Sequence, residues 1–239
     1  MNKTQKNEAL LLGELHTRKR ISIQEAMELL KVSESTARRL FVSMEEKGAC
    51  LRGHGCIRIL DNDFPGAYVY EAIEGTGEAE KELIADKALQ LIKNGDSIFL
   101  DAGTTLAKLS LKIAEAVRNK TLRDLTIFTN SLVNLNILKK DTKVNLIGGE
   151  YRDNRKDFCG IVTEMAIREI CFSKCFVGTD GYSKGVGFTA SDFQTAKISR
   201  LLIANSEEGY ILATKEKFRQ SSGICFAREE DIRAVITND

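Results

Sequence analysis

Apolar positions recur at helical spacing through the first part of the chain, then give way to short apolar runs that alternate with further helical stripes. Leu11, Leu12 and Leu15 predict one short amphipathic helix. Ser22 and Glu25 have the S-x-x-E spacing of a capping box, in which each side chain satisfies a backbone N–H at a helix start. Ile23, Ala26, Met27 and Leu30 follow at i, i+3, i+4 and i+7, which puts them on one buried stripe. Residues 31–33 leave room only for a tight turn. Ser33 is placed to cap a third helix, whose Ala37, Leu40, Phe41 and Met44 repeat the spacing until Gly48 ends it. Two short amphipathic helices joined by such a turn form a helix-turn-helix.

In that unit the second helix presents its N-terminal half to the major groove of DNA. Here that half carries Ser35, Thr36, Arg38 and Arg39. Arginine bonds a guanine edge bidentately or holds phosphate, and hydroxyls serve base or backbone. Residues 49–52, a Gly53-His54-Gly55 turn and residues 56–59 read as a hairpin carrying Arg52, His54 and Arg58, a basic wing beside the helices. The blander reading makes Arg38 and Arg39 the solvated face of a three-helix bundle. The short turn, the capped helix, its basic N-terminal half and the basic hairpin together favour DNA.

Residues 61–75 contain the only proline, Pro65, and no sustained period, so they read as a linker. Domains are therefore expected at 1–60 and 76–239. Beyond the linker a helix is expected over 76–94, then strand 97–100, helix 104–117, strand 126–129, helix 132–138 and strand 143–147. Helix 162–170, strand 175–177, helix 193–204 behind a capping-box-like Ser191 and Gln194, and strands 210–213 and 234–237 complete the pattern. Strands alternating with helices imply an α/β domain whose mainly parallel sheet is covered on both faces. The N-terminal unit is a small α+β winged helix-turn-helix.

Charge sharpens the division. Residues 1–60 hold 11 Lys and Arg against 7 Asp and Glu, whereas the remainder holds 24 against 27, so the basic excess sits on the part expected to meet a polyanion. No apolar run approaches the roughly 20 residues that span a bilayer, and the N-terminus is not built like a secretion signal, so a cytoplasmic protein without a membrane partner is expected. The six cysteines lie mostly in apolar runs and read as small core hydrophobes. Cys171 and Cys175 would meet on a helix but lack a nearby histidine, so neither a zinc site nor any cofactor is expected.

Sheets of this kind bind ligands where strands end and helices begin, because helix N-termini offer free N–H groups to anions. Three strand ends have the right composition: F-L-D-A-G-T-T at 99–105, F-T-N-S at 128–131 and L-I-G-G-E at 146–150. Together they are expected to make a pocket for a small phosphorylated polyol. The order of helix-turn-helix, R-x-H-G, F-L-D-A-G-T-T, T-N-S, L-I-G-G-E-Y-R, F-V-G-T-D-G, K-F at 217–218 and terminal I-T-N-D resembles the DeoR family of bacterial transcription regulators over nearly the whole chain. The resemblance implies a C-terminal domain shaped like ribose-5-phosphate isomerase that senses a phosphorylated sugar and controls binding to a double-stranded operator. It implies that Asp101, Gly103, Thr104 and Thr105 cradle phosphate and that Asn130 and Ser131 face the sugar. Gly148, Gly149 and Glu150 would line the opposite wall, with Lys81, Asp180 and Lys217 near the site.

This chain departs from the family pattern in T-A-R-R-L-F at 36–41, where an Asp is usual, and in R-G-H-G-C at 52–56. It also reads Thr214-Lys215-Glu216-Lys217 where the family often has D-x-S-K before the late Phe, so that motif's Asp and Ser are missing. The principal alternative is a sugar-phosphate isomerase or deaminase using Asp101 or Glu150 as base; the basic N-terminal unit and the lack of histidine after residue 54 oppose it. A third reading makes the α/β domain an assembly module only. A regulator that reads a two-fold operator is expected to be a homo-oligomer, a dimer or tetramer.

Overall fold

The computed structural model describes residues 3–18, 20–46, 50–53, 55–58, 68–219 and 223–239. The chain divides into two compact units, Met1–Ala67 and Tyr68–Asp239. Residues 68–75 thus belong to the second unit, although their lack of period reads as linker. Among the described residues no helix is long and apolar enough to cross a membrane.

In the first unit the elements are α1 (Lys3–Arg18), β1 (Arg20–Ser22), α2 (Ile23–Leu30), α3 (Glu34–Glu46), β2 (Leu51–Gly53) and β3 (Cys56–Arg58). The capping box forms: the Ser22 N–H donates to Glu25 Oε2 at 2.7 Å, and the Glu25 N–H donates to Ser22 Oγ at 3.2 Å. Lys31 closes α2 in the left-handed region at φ 51°. Ser33 opens α3 chiefly through its carbonyl, which accepts the N–H groups of Thr36 and Ala37; its hydroxyl shares hydrogen bonds with the Ser35 and Thr36 hydroxyls. Leu11, Leu15, Ile23, Ala26, Ala37, Leu40, Phe41 and Met44 are buried in one core, with Met27 and Leu30 packed against it. The hairpin β2–β3 gains a third strand, since β1 pairs antiparallel with β3. Gly48, expected to end α3, and His54 lie outside the described residues.

The second unit opens with α4 (Tyr70–Ile73) and α5 (Glu78–Leu89), then β4 (Ser97–Leu100), α6 (Thr104–Arg118), β5 (Thr126–Thr129), α7 (Leu132–Leu138) and β6 (Val144–Leu146). There follow β7 (Glu150–Arg152), β8 (Asp157–Cys159), α8 (Ile161–Arg168), β9 (Phe172–Gly178), β10 (Gly181–Ser183) and β11 (Gly187–Ala190). Then come α9 (Phe193–Ala204), β12 (Ser206–Leu212), a 3-10 turn (Lys215–Arg219), β13 (Ile224–Ala227) and β14 (Ala234–Ile236). The central sheet is parallel throughout, in the order β14-β12-β9-β4-β5-β6. From β4 the chain winds outward through α6 and α7, and from β9 it winds the other way through α9. Right-handed crossovers therefore set α6 and α7 on one face and α9 on the other. The strand order reverses between β4 and β9, where the ends of neighbouring strands diverge and leave a crevice.

The fold corrects two local expectations. The N-cap of α9 is Asp192, whose carboxylate accepts the Thr195 N–H at 2.8 Å, in place of Ser191 with Gln194. Cys175 lies buried within β9 and Cys171 is exposed just before it, so the pair shares no helix. Among the described residues no group of three or more His, Cys, Asp or Glu is placed to hold a metal ion.

Candidate effector and DNA-binding sites

In the first unit Ser35, Arg38 and Arg39 are exposed on the outer face of α3 and Thr36 is half-buried beside them. Arg38 is held by Glu34, one turn earlier, through Nε at 2.9 Å and Nη2 at 2.7 Å. Arg39 Nε reaches the Ser35 carbonyl at 3.4 Å. Arg52 and Arg58 stand on the wing strands β2 and β3; their side chains lie outside what is described.

In the second unit a cavity opens where the strand order reverses. Asp101, Gly103, Thr104 and Thr105 after β4, Gly178 at the end of β9 with Asp180 beyond it, and Thr214 and Lys217 after β12 form its wall. Lys81 of α5 closes one side, and Tyr68 and Arg155 close another. The helix starts nearby differ in a way that matters for anions. α7 is capped by Ser131 and α9 by Asp192, whereas α6 begins at Gly103, φ 134°, with no side-chain cap and no acid in its first turn. Its leading N–H groups and the positive end of its dipole face the cavity.

Charged groups surround that helix start. Lys81 is only 5% exposed and donates to the Ile73 carbonyl at 2.7 Å. Burial first, then the ammonium groups of Lys217 and Lys108, hold its pKa below the ordinary lysine value. Two ammonium groups, of Lys81 and Lys217, thus face one cavity, an arrangement that an anion relieves. Asp101 is 6% exposed; burial, reinforced by Asp157, pushes its carboxyl up to about 7 despite the Ala102 N–H and Arg155. Burial also works against the Asp180 carboxylate, but Arg155 and the Ser191 N–H and hydroxyl outweigh it and hold its pKa low. Arg155 is buried among Asp180 at 3.5 Å, Asp192 at 3.3 Å and Asp157 at 3.9 Å. Arg152 grips Asp157 with two nitrogens, at 2.8 and 2.6 Å, and reaches Asp192 at 2.9 Å. This network fixes the rear wall.

Five residues expected at the site lie elsewhere. Asn130, Ser131, Gly148, Gly149 and Glu150 do not line the cavity. The hairpin β7–β8 accounts for this, because its backbone covers the ends of β5 and β6. The Phe158 N–H donates to the Asn130 carbonyl at 2.8 Å, and the Leu132 N–H donates to the Lys156 carbonyl at 3.0 Å. The Asn130 amide donates to the Phe158 carbonyl at 3.1 Å, while Ser131 caps α7. Thr163 Oγ1 bonds the Gly148 carbonyl at 2.9 Å. A Cβ on Gly149 would stand 2.2 Å from Thr163 Oγ1 and 2.4 Å from the Cys159 carbonyl oxygen, so glycine there serves close packing. Glu150 is exposed at the start of β7. The wall instead includes Tyr68, Arg155 and Thr195, which no local pattern singles out.

A winged helix-turn-helix unit joined to an α/β unit with a polar cavity defines a DNA-binding regulator with a separate sensing domain. Residues 8–63 match the DeoR-like helix-turn-helix domain and residues 77–239 match the DeoR C terminal sensor domain, and the chain belongs to the DeoR family of transcription regulators. The chain is 33% identical over 228 residues to the lactose phosphotransferase system repressor of Staphylococcus epidermidis, covering 92% of this chain and 86% of that one. It is 29% identical over 238 residues to the uncharacterized HTH-type transcriptional regulator FruR of Bacillus subtilis, covering 99% and 91% respectively. Ribose 5-phosphate isomerase A of Methanocaldococcus jannaschii aligns in structure with a TM-score of 0.45 and 16% identity, over 60% of this chain and 55% of that one. The protein is a regulator and not an isomerase or deaminase; of the two candidate bases, Glu150 is away from the cavity.

Proposed function

We propose that this protein represses genes of sugar metabolism from the cytoplasm, as a homo-oligomer, and that a phosphorylated sugar bound in the second unit sets its affinity for operator DNA. The observation that carries the ligand assignment is the start of α6 at the reversal of strand order, where the N-cap residue is a glycine and the first turn holds no acid, faced by Lys81 and Lys217. Helix-start N–H groups and two ammonium groups suit a phosphate. Asp101 and Asp180 beside them suit sugar hydroxyls, which donate to carboxylates. The names of the relatives, a repressor of a lactose phosphotransferase system and FruR, support the sugar assignment. Ser35, Thr36, Arg38 and Arg39 are the residues proposed to meet the operator, with Arg52, His54 and Arg58 of the wing on flanking phosphates. For the ligand to act as a signal it must bind two states of the protein unequally, and operator and ligand then alter each other's affinity by the same factor.

Titration calorimetry tests this with hexose 6-phosphates, hexose 1-phosphates and pentose 5-phosphates, with and without operator. Wild type should bind at least one of them, and Thr105→Val and Lys217→Ala should each weaken that binding by about 10-fold or more, the loss of one charge-assisted or well-placed hydrogen bond. Absence of binding at millimolar ligand would overturn the sensing assignment.

A further inference from the structure

The groups best placed to hold a phosphate are already engaged by the chain itself. Tyr68 is the first residue of the second unit and follows directly on the segment that leads from the helix-turn-helix. Its hydroxyl accepts the Thr104 N–H at 3.2 Å, the first donor of α6, which the helix itself leaves without a partner. The Arg155 guanidinium lies 4.3 Å from the centre of its ring. Five residues on, the carbonyl of Ile73 takes the ammonium of Lys81 at 2.7 Å. Outside the cavity the same segment is tied down twice by Asn154, whose amide donates to the Tyr68 carbonyl at 3.2 Å and whose carbonyl accepts the Tyr70 N–H at 2.8 Å. Burial pushes the Tyr68 hydroxyl up to about 12, so it remains a neutral phenol at physiological pH.

Space points the same way as bonding. The inner cavity between α6, Arg155 and Tyr68 holds about 60 Å³. Pockets that enclose small ligands run to roughly 300 Å³ and more. Next to it a cleft of about 320 Å³ opens over Ile73, Lys81, Thr214 and Lys217. A phosphate ester entering from that cleft meets the phenol oxygen at the Thr104 N–H and the Ile73 carbonyl at Lys81.

We infer that residues 68–73 are a strap that a phosphorylated ligand displaces, its phosphate taking the Thr104 N–H from Tyr68 and the Lys81 ammonium from Ile73. The inference rests on the proposed ligand and adds how occupancy leaves the cavity. An anionic oxygen is a stronger acceptor than a neutral phenol or a carbonyl, so the exchange runs in the ligand's favour. The displaced strap is continuous with the chain that runs to the DNA-binding unit, which gives the ligand a covalent route to it. In the ligand-free protein the strap keeps α6 capped and Lys81 paired.

Two variants of the full chain test the strap. Tyr68→Phe keeps the ring under Arg155 and removes only the competing oxygen. Asn154→Ala loosens the strap from outside the cavity and touches none of the groups assigned to the ligand. Both should bind the phosphate ester about 3- to 10-fold more tightly than wild type in calorimetry, the worth of one neutral hydrogen bond. Both should also shift the operator affinity of ligand-free protein toward that of ligand-saturated wild type. Equal or weaker ester binding in both variants overturns the strap, since Tyr68 is then a bystander or a partner of the ligand. If no ester binds wild type or either variant, the ligand assignment fails by itself. The strap is then judged on operator affinity without ligand, and variants that match wild type there, with unchanged thermal midpoints, overturn it as well.

Discussion

Asp101 is a carboxyl group closed in by the backbone of Ala102 and Gly178, with Arg155 on one side and Asp157 contributing like charge. Its pKa rises from 3.8 in the unfolded chain to about 7 in the fold, because burial penalises the charged form more than its donors favour it. Between those values the folded protein holds a proton that the unfolded chain has released. Its contribution to stability is therefore complete below about pH 4 and is lost as pH rises through 7. Asp101→Asn removes the titration. The thermal stability of this variant relative to wild type should improve by about 2–3 kcal/mol on going from pH 5 to pH 8, at about 1.4 kcal/mol per pH unit within the window. A difference between the two proteins that stays constant over that range would mean that Asp101 is ionised throughout. The residue type and its place after β4 are visible in F-L-D-A-G-T-T, but the shift is not, because it comes first from burial in the folded domain and then from Asp157, more than fifty residues away.

At the scale of the element, α3 makes the clearest prediction. Its buried stripe of Ala37, Leu40, Phe41 and Met44 fixes which face packs, and by exclusion it turns Arg38 and Arg39 outward. The Arg38–Glu34 pair is 61% and 56% exposed, and exposed pairs one turn apart contribute only about 0.3–0.5 kcal/mol, so Arg38 leaves Glu34 for DNA at little cost. Arg38→Ala and Arg39→Ala should therefore weaken operator binding in fluorescence anisotropy without lowering the melting temperature. A base contact should show as a loss of about 1–3 kcal/mol with relaxed specificity. A phosphate contact should weaken all sequences alike and reduce the salt slope by about one. Unchanged binding in both variants would remove α3 as the reading helix. The elements β4, β5, α7 and α9 begin and end where the apolar pattern places them, whereas β9 and β12 start before the expected 175–177 and 210–213. By contrast β1, β7, β8 and β10, of three residues each, are too short for any alternation to show. Their pairing partners, not their composition, make them strands.

For the molecule as a whole, the separation into two units implies that DNA reading and ligand sensing are distinct structures on one chain. One winged unit covers a single half-site, and a two-fold operator needs two copies held at a fixed spacing of about one helical turn or a multiple of it. Sedimentation of the full chain at micromolar concentration should accordingly give a dimer or tetramer, and operator should bind with even stoichiometry. A strictly monomeric protein that binds one per operator would contradict the proposed assembly.

The sequence by itself determined both units, the boundary region between them, the parallel α/β character of the second and the basic face of the first. These follow from periodicity, capping and charge, which act between residues a few positions apart. It also determined the glycine and hydroxyl composition at residues 101–105, because a strand end and a helix start are neighbours in the chain. Only the tertiary structure decided which strand ends form the cavity. The equally polar ends of β5 and β6 are covered by the hairpin β7–β8, and reversal of strand order opens the crevice between β4 and β9 instead. Tyr68 and Arg155 enter the site for the same reason: each is brought to α6 by contacts across some tens of residues, and nothing in the spacing of the chain near either of them records that meeting.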